Sequence, residues 1–450
     1  MLWIYLRHLS LRSAFCCLLM LTTLSAQAQM TEKEIYIPRD LQGMDFSCDT
    51  SQWSYQRMAA TDNVVVFWEK GFGNDLSTAP PLEGQDMTVN LPNLLEKLER
   101  FYVFFRDSLH FTLPGSKSER WKMLVMLNYS LEGTAYGGDY DLEIGALWIA
   151  PNRVKDDKLN CIAHELGHSF QLQIICDDYD FGEGPYFTEA EREGPGEGQG
   201  AHLEGGFYEM ASQWMLWQVN PLWVSDENYH WQAFRGQFHR RLLSLENIYR
   251  SPYVLEYWSE RRGLSVIADL LREGQVGEDA VSAYMRLFSL DEAQMAEELY
   301  DCYTRLQTFD FDRVREACRP QALQLTTPTT AQGKWLVPEL VPETYGWNVI
   351  PLPEGTKKVQ LQGLGDKEKD GFRWGIVWVD DQLQATYLPS LDAFQGSLST
   401  EQGKHEGKAF LVVVPYPKDG YKPLLPHMGP PRPGQKETPE RTYPYKVRTR

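Results

Sequence analysis

The stretch Cys161-Ile162-Ala163-His164-Glu165-Leu166-Gly167-His168-Ser169-Phe170 contains a His-Glu-x-x-His motif between uncharged residues. On a helix, His164 and His168 lie one turn apart on the same face, so both imidazoles can bind one metal ion. Glu165 lies beside them and can take a proton from a metal-bound water without being a ligand. The alternative is a chance match, in which the histidines are only capped or partly buried in an ordinary helix.

Two histidines need a third protein ligand, which leaves one position for water. An extended His-x-x-Gly-x-x-His ligand pattern is excluded, because Gln171 and Ile174 occupy the positions of its Gly and last His. A downstream Gly-Thr-x-Asp motif is also absent. We therefore predict Glu209, on a second helix, as the third ligand of a zinc ion. Glu204 and His202 precede that helix and are its competitors, and His202 is the stronger of the two.

Zinc bound by His164, His168 and Glu209 predicts hydrolysis of a carbonyl substrate. The zinc-bound water would have a pKa of about 7. Glu165 would take its proton during the attack on the carbonyl carbon and pass it to the leaving amine. A donor to the developing oxyanion is also expected. The candidates are Tyr208, Tyr229, His230 and Tyr249, and for each one taken alone a structural role is the favoured interpretation.

The segments before the motif helix predict the order strand, helix, strand, strand. They are residues 63–68, 92–109, 121–127 and 146–150. Gly137-Gly138 is expected to break the chain before the last strand. This order is that of the upper half of a zincin fold, in which the strand before the motif helix commonly lies at the sheet edge. We expect 146–150 to be this edge, where an extended substrate could pair.

After the motif helix, residues 177–206 form a long acidic, Gly-rich stretch. We expect a solvated loop there, and a calcium site built from its carboxylates is the less favoured alternative. Helical periodicity then continues to about Cys318, for example at 207–219, 231–243, 265–271, 280–288 and 293–306. Residues 55–322 are therefore predicted to form an α+β, zincin-like metallopeptidase domain with a mostly helical lower subdomain.

The composition changes near residue 325, where a Thr/Pro-rich stretch is followed by short alternating apolar runs. We predict a linker at 323–337, a small all-β sandwich at 338–416 and a Pro-rich basic tail at 417–450 that is extended or disordered. Trp347, Trp374 and Trp378 could contact a glycan. Because tryptophans in alternating strands usually fill the core, core positions are the favoured interpretation.

Residues 1–28 have the features of an export signal. Arg7 and Arg12 precede an apolar run at 14–24, and Ala26-Gln27-Ala28 is a small-x-small cleavage site. The run is too short for a stable membrane anchor. We expect an exported protein, periplasmic, cell-surface or secreted, with a polar segment at 29–54 and no transmembrane segment after signal removal. The net charge of −18 argues against nucleic-acid binding.

Cysteine usage leaves two interpretations open. Five cysteines follow residue 28, and an oxidising compartment would permit disulfides. Cys302 and Cys318 are a plausible local pair, and Cys161 could be joined to Cys176 beyond the motif. Buried, unpaired thiols are an equally good interpretation.

The set His164, Glu165, His168 and Glu209 resembles that of the gluzincin division of zinc metallopeptidases. The chain also resembles a family of exported bacterial proteins catalogued only as a domain of unknown function. The matching segments, within about 55–416, are 64–68, 94–105, the motif helix, 209–215, 345–350 and 410–414. The resemblance implies a zincin-like catalytic domain with an appended β-sandwich, and it implies no particular substrate.

Two functions are carried forward. The first is a secreted zinc metalloendopeptidase that acts on polypeptides or glycoproteins. The second is a cell-envelope protein that holds glycan or protein on a zincin scaffold, with glycan contact through the β-sandwich and weak or no catalysis. Glu165 favours the first, because a scaffold has no need of a general base.

Overall fold

The computed structural model describes residues 32–133, 135–178, 206–244, 249–275, 278–423 and 440–450. The predicted export signal, most of the acidic stretch and the two competitors His202 and Glu204 lie outside these residues. Among the residues described, no helix is both long and apolar enough to cross a membrane.

A mixed five-stranded sheet carries the N-terminal half of the fold, in the order β1-β2-β3-β5-β4. Its strands are β1 (Met58–Ala60), β2 (Val64–Trp68), β3 (Met123–Leu127), β4 (Ala135–Tyr140) and β5 (Ile144–Ile149). β2, β3 and β5 are parallel, whereas β1 and β4 are antiparallel edges. Continuous burial of β2 and β3 is what apolar runs at the centre of a covered sheet predict.

The sheet edge next to the motif helix is β4, and the expectation that residues 146–150 form it is wrong. β5, which contains most of that segment, lies between β3 and β4. Gly137 and Gly138 lie inside β4 and do not break the chain. A Cβ atom at Gly137 would overlap the backbone oxygen of Glu165 and lie 2.7 Å from Cβ of His168. Glycine is therefore required by the close approach of strand and helix.

Helix α1 (Leu91–Asp107) and the motif helix α2 (Asn160–Asp178) pack on this sheet, and α3 (Gly206–Val219) packs on α2. Asn90 caps α1 by accepting a hydrogen bond from the backbone N–H of Asn93, as its side chain favours. The buried face of α1 meets α2 through edge-to-face contacts of Tyr102 and Phe105 with Phe170. The motif helix is thus held between α1, α3 and the sheet.

The remaining helices occupy the second half of the chain, as predicted. They are α4 (Trp223–Asp226), α5 (Asn228–Phe234), α6 (Tyr253–Arg262), α7 (Val266–Glu273), α8 (Ala280–Leu287) and α9 (Glu292–Leu306). The helix predicted at 231–243 ends at Phe234. Asp279 and Asp291 form capping boxes that begin α8 and α9.

Two further five-stranded sheets form the C-terminal part. One has the order β11-β10-β14-β8 with β12 paired to β10, and the other has the order β13-β9-β15-β7-β6. Their strands are β6 (Thr329–Gln332), β7 (Trp335–Pro338), β8 (Asn348–Pro351), β9 (Lys358–Gly363), β10 (Asp370–Val379), β11 (Ala385–Tyr387), β12 (Leu391–Asp392), β13 (Gln395–Ser399), β14 (Lys408–Pro417) and β15 (Tyr445–Thr449). Side chains of both sheets share one buried apolar cluster.

Two predicted boundaries differ from the structure. The segment 323–337 contains β6 and the start of β7, and so is not only a linker. The end of the segment 417–450 is not a disordered tail, because β15 pairs with both β9 and β7 inside the second sheet. Tyr445 and Val447 point into the shared core while Lys446 and Arg448 alternate with them. A Pro-rich stretch precedes this amphipathic strand, and its composition led to the prediction of an extended or disordered tail.

The three C-terminal tryptophans are core residues, as the favoured interpretation states. Trp347, Trp374 and Trp378 are each at most 5% exposed. Trp347 stacks on Tyr303 of α9, and the indole N–H groups of Trp374 and Trp378 donate to backbone carbonyls. The alternative interpretation, in which these indoles contact a glycan, is therefore wrong.

The cysteines after residue 28 are all free thiols. The proposed Cys302–Cys318 and Cys161–Cys176 pairs are therefore wrong. Cys176, Cys302 and Cys318 are buried, and this burial raises the pKa of each thiol. They behave as small apolar core residues.

Candidate metal site

Helix α2 brings the two histidines of the motif together. Their rings have centroids 4.8 Å apart and are nearly perpendicular. The Nε2 atoms of His164 and His168 are 3.2 Å apart. The i, i+4 spacing on one helix face gives this arrangement directly.

Glu209, in the first turn of α3, completes the group. Its Oε2 atom lies 3.1 Å from Nε2 of His164 and 3.2 Å from Nε2 of His168. The three side chains are only 11–14% exposed. Among the residues described, they form the one group of three or more potential metal ligands with atoms this close together. The structure therefore brings together the three residues predicted as ligands.

The spacing of these three atoms fits a tetrahedral zinc site. Zinc bonds of about 2.0–2.1 Å to nitrogen and oxygen imply ligand atoms roughly 3.3 Å apart at tetrahedral angles. The three observed separations, 3.1, 3.2 and 3.2 Å, are close to this value. The donor set of two imidazoles and one carboxylate is also one that zinc favours.

Two buried glutamines fix which histidine nitrogen faces the group. Nδ1 of His164 lies 2.9 Å from Oε1 of Gln213, and Nδ1 of His168 lies 3.0 Å from Oε1 of Gln171. Each glutamine Nε2 donates to a backbone carbonyl, that of Tyr249 or Tyr208, which sets the orientation of the amide. The amide oxygens therefore accept from Nδ1–H, and both Nε2 lone pairs face the carboxylate.

This arrangement places three electron-rich atoms against one another. Two lone-pair nitrogens and a carboxylate oxygen at such distances repel unless a cation or a proton lies among them. The site thus has the electrostatic character of a cation-binding site.

Sequence reasoning missed the two glutamines, although Gln213 follows Glu209 by four residues and Gln171 follows His168 by three, which are same-face spacings on a helix.

The charge states of the ligands reflect these contacts. Burial alone would raise the pKa of Glu209, but when protons in place of a cation lie between the carboxylate and the imidazoles, hydrogen bonds and charge from His164 and His168 outweigh the burial and lower the pKa. Burial acts to lower the pKa of His168, but the contact with Glu209 outweighs it and raises the pKa. Glu209 is therefore ionised, as a metal ligand must be. Its place in the first turn of α3 favours the same state.

Glu165 lies between the motif helix and the edge strand. The backbone N–H of Gly137 donates to its Oε2 at 2.9 Å. Its charge acts on both His168 and Tyr249, so the carboxylate is near the ligand group without belonging to it. The general base that the sequence predicts is thus held by β4, a contact that no sequence signal indicated.

Tyr249 is the candidate oxyanion donor that the structure brings to the group. Its ring centroid lies 6.1 Å from that of His164, and its hydroxyl is within hydrogen-bonding reach of Glu209. Burial, followed by the charge of Glu209, raises the pKa of Tyr249, so the hydroxyl keeps its proton. Its ring is 42% exposed, which leaves it accessible from solvent.

The other three donor candidates have different surroundings. Tyr208 offers its backbone carbonyl to Gln171. His230 lies one step further out, with Nε2 at 3.3 Å from the Gln213 amide nitrogen and 3.5 Å from Glu227. Tyr229 packs on His230 and is 66% exposed.

A buried ion pair supports the helix that carries Glu209. Glu256 of α6 accepts hydrogen bonds from Trp214 and Gln218 of α3 at 3.1 and 2.6 Å. Arg313 donates to both of its carboxylate oxygens at 2.9 and 2.8 Å. Glu256 is 2% exposed. A buried carboxylate with this many donors ties α3 firmly to the helical half.

The fold and the site together define an α+β protein with a candidate metal site on a His-Glu-x-x-His helix. The chain belongs to a family of unknown function, DUF6055, which matches residues 27–450. This membership agrees with the resemblance to a domain of unknown function. The comparison with curated proteins finds no match.

Solved structures of a metallopeptidase and of M60 catalytic domains show a low similarity to this chain. The ZmpB metallopeptidase from Clostridium perfringens is 12% identical, with a TM-score of 0.30 over 82% of this chain and 68% of that chain. The M60 catalytic domain of ZmpC from the same organism, in complex with the sialyl T antigen, is 11% identical, with a TM-score of 0.30 over 82% of this chain and 68% of that chain. The ZmpB M60 catalytic domain with its two CBM51 domains is 13% identical, with a TM-score of 0.31 over 82% of this chain and 36% of that chain. These values are too low to carry an argument about fold or activity.

Proposed function

We propose that the protein is an exported zinc metallopeptidase that hydrolyses peptide bonds in polypeptides or glycoproteins. The observation that carries the proposal is the convergence of His164, His168 and Glu209 at zinc-ligand spacing, with Glu165 beside them. In this proposal, strand β4 with Gly137 and the side chain of Tyr249 near the ligand group each have a role in the same reaction.

The ligands would hold zinc through the two Nε2 atoms and Oε2 of Glu209, which leaves a fourth position open. A zinc ion bound there supplies a Lewis acid and lowers the pKa of water to about 7. The Glu165 carboxylate would take a proton from the attacking water and deliver it to the leaving amine. Tyr249, protonated because its pKa is raised, would donate to the carbonyl oxygen as negative charge develops.

The edge strand β4 would bind an extended substrate. The N–H of Gly137 donates to Glu165, so it does not point toward β5. In an antiparallel pair the outward groups alternate, and Ala135 and Asp139 present theirs on the same side as Gly137. A peptide that pairs with this edge would lie along the motif helix, with its carbonyl near Glu165.

The test combines metal content with cleavage of a diverse library of peptides and glycopeptides by residues 29–450. We expect about one zinc per chain and metal-dependent cleavage. Glu165→Gln should retain the zinc and reduce cleavage at least 100-fold, as loss of a general base predicts. Glu96→Gln, an exposed glutamate on α1, is the matched control and should cleave normally. Unchanged cleavage by Glu165→Gln would refute the mechanism.

The second candidate is an envelope protein that holds glycan or protein on the same scaffold with weak or no catalysis. The observation that favours it is the contact of Glu165 with the Gly137 N–H, which ties up the proposed base. Zinc binding without cleavage of any library member, in a protein that captures intact glycopeptides, would support this candidate over the peptidase.

A further inference from the structure

The outer face of the second C-terminal sheet carries a polar and cationic surface, which we name the β15 face. On strands β9 and β15, buried residues alternate with exposed or half-buried ones. The inward residues belong to the buried cluster shared by the two sheets. On β9 and β15 the outward residues are Lys358, Gln360, Gln362, Lys446 and Arg448.

Strand register arranges these side chains in rows across the sheet. Gln395, Gln362 and Lys446 are cross-strand neighbours on β13, β9 and β15. Ser397, Gln360 and Arg448 form the next row. Adjacent strands lie about 4.8 Å apart. The β15 face is therefore a regular array of amides and hydroxyls with two cations in its central strand.

The cations of the β15 face are available to a partner. Among the described residues, no ion pair involves Lys358, Lys446 or Arg448. Nζ of Lys446 lies 4.6 Å from the centroid of the Trp335 ring, a cation–π contact that holds the ammonium in place. Glu339, which follows β7, accepts a hydrogen bond from the outward-facing Thr330 at 2.8 Å. A cluster of unpaired cations is unusual in a chain with a net charge of −18.

We propose that the β15 face binds a polysaccharide that carries carboxylate groups. The guanidinium of Arg448 and the ammonium of Lys446 complement carboxylates. The Gln360 and Gln362 amides both donate and accept, which suits the hydroxyl groups of sugar rings. Because the rows run across β13, β9 and β15, a chain of sugars could contact several strands at once.

Other occupants fit the β15 face less well. An extended peptide pairs with a sheet edge through its backbone and does not lie across the face. Single-stranded nucleic acid is usually bound by rows of exposed aromatic rings on which its bases stack, whereas the Trp335 ring of this face is covered by Lys446. The inference goes beyond the proposed peptidase activity and uses none of the metal-site residues.

The test is affinity electrophoresis of residues 29–450 through gels containing polygalacturonate, with neutral dextran gels as the reference. Wild type should be retarded by polygalacturonate alone. Lys446→Ser/Arg448→Ser should weaken the interaction at least 10-fold, and Gln360→Glu/Gln362→Glu should weaken it as strongly by adding negative charge to the face. Thermal unfolding of each double variant shows whether it folds. If one double variant fails to fold, the other still tests the proposal.

The control is Lys367→Ser/Lys404→Ser, which removes two exposed cations from loops. It should be retarded like the wild type. Wild-type migration unaffected by polygalacturonate would overturn the proposal, as would normal retardation of both face variants. Equal weakening by the control would reveal non-specific charge attraction, and equal retardation by dextran or single-stranded DNA would overturn the assigned class of ligand.

Discussion

Removing the Gln213 amide tests whether the buried glutamines orient the metal ligands. In Gln213→Leu, the His164 Nδ1–H loses its acceptor at 2.9 Å. Gln213 is 3% exposed, so water cannot replace the amide. A buried donor without a partner costs about 1–3 kcal/mol, and loss of such a partner typically weakens metal binding about 10–100-fold. We therefore expect zinc affinity to fall by this factor.

The matching change at the other histidine should have a smaller effect. In Gln171→Leu, Nδ1 of His168 keeps a second neighbour, the Ser212 hydroxyl at 3.1 Å, which can accept in place of the amide. We expect a loss of zinc affinity below 10-fold. The structure thus predicts a larger loss of zinc affinity in Gln213→Leu than in Gln171→Leu, and no sequence pattern predicts this difference.

The assay is competition for zinc against a chromophoric chelator at pH 7.5. Gln232→Leu, an exposed position on α5, is the matched control and should bind zinc like the wild type. Unfolding of the metal-free proteins separates lost stability from lost affinity. Wild-type affinity in Gln213→Leu, or a larger loss in Gln171→Leu than in Gln213→Leu, would refute the reasoning.

Three further outcomes are expected. Gly137→Ala should lower the free energy of unfolding by about 1–3 kcal/mol, because its Cβ would overlap the Glu165 backbone; urea titration would show this, and unchanged stability would contradict it. Glu256→Ala should cost at least about 2 kcal/mol, because the buried Trp214 indole N–H and Gln218 amide each lose an acceptor, at about 1–3 kcal/mol apiece. A urea-measured loss below about 1 kcal/mol would contradict this. Burial raises the pKa of Glu227, but bonds from His230 and other donors outweigh it and lower the pKa from 4.5. Its stabilisation is therefore fully present above pH 4.5 and lost as the pH falls through the lowered pKa. In urea titrations, the stability gap to Glu227→Gln should stay constant above pH 4.5 and narrow as the pH falls below it, and a gap that does not change with pH would contradict this.

Local patterns predicted the elements that carry the site. The apolar run of Val64–Trp68 and the helical spacing of α1 appear in the structure close to the predicted limits. The His164–His168 pair follows from helix geometry alone. Glu209 was found by elimination, because the other ligand patterns were missing from the sequence.

The errors arose where tertiary contacts override local composition. Gly137 has the local signature of a break, but its conformation is set by the approach of a helix 28 residues later in the chain. β15 follows a Pro-rich stretch, and only pairing with β9 and β7 makes it a strand. The free thiols also could not be predicted, because pairing depends on distances between distant segments. Gln213 acts through a side-chain contact that no motif encodes.

The zinc content of residues 29–450 tests the central claim most directly. Wild type and Glu209→Ala are loaded with equimolar zinc, passed through a desalting column and measured by plasma mass spectrometry. The account predicts about one zinc per chain in the wild type and a loss of most of it in Glu209→Ala. A wild type that retains no zinc, or a Glu209→Ala variant that retains the wild-type amount, would contradict the account.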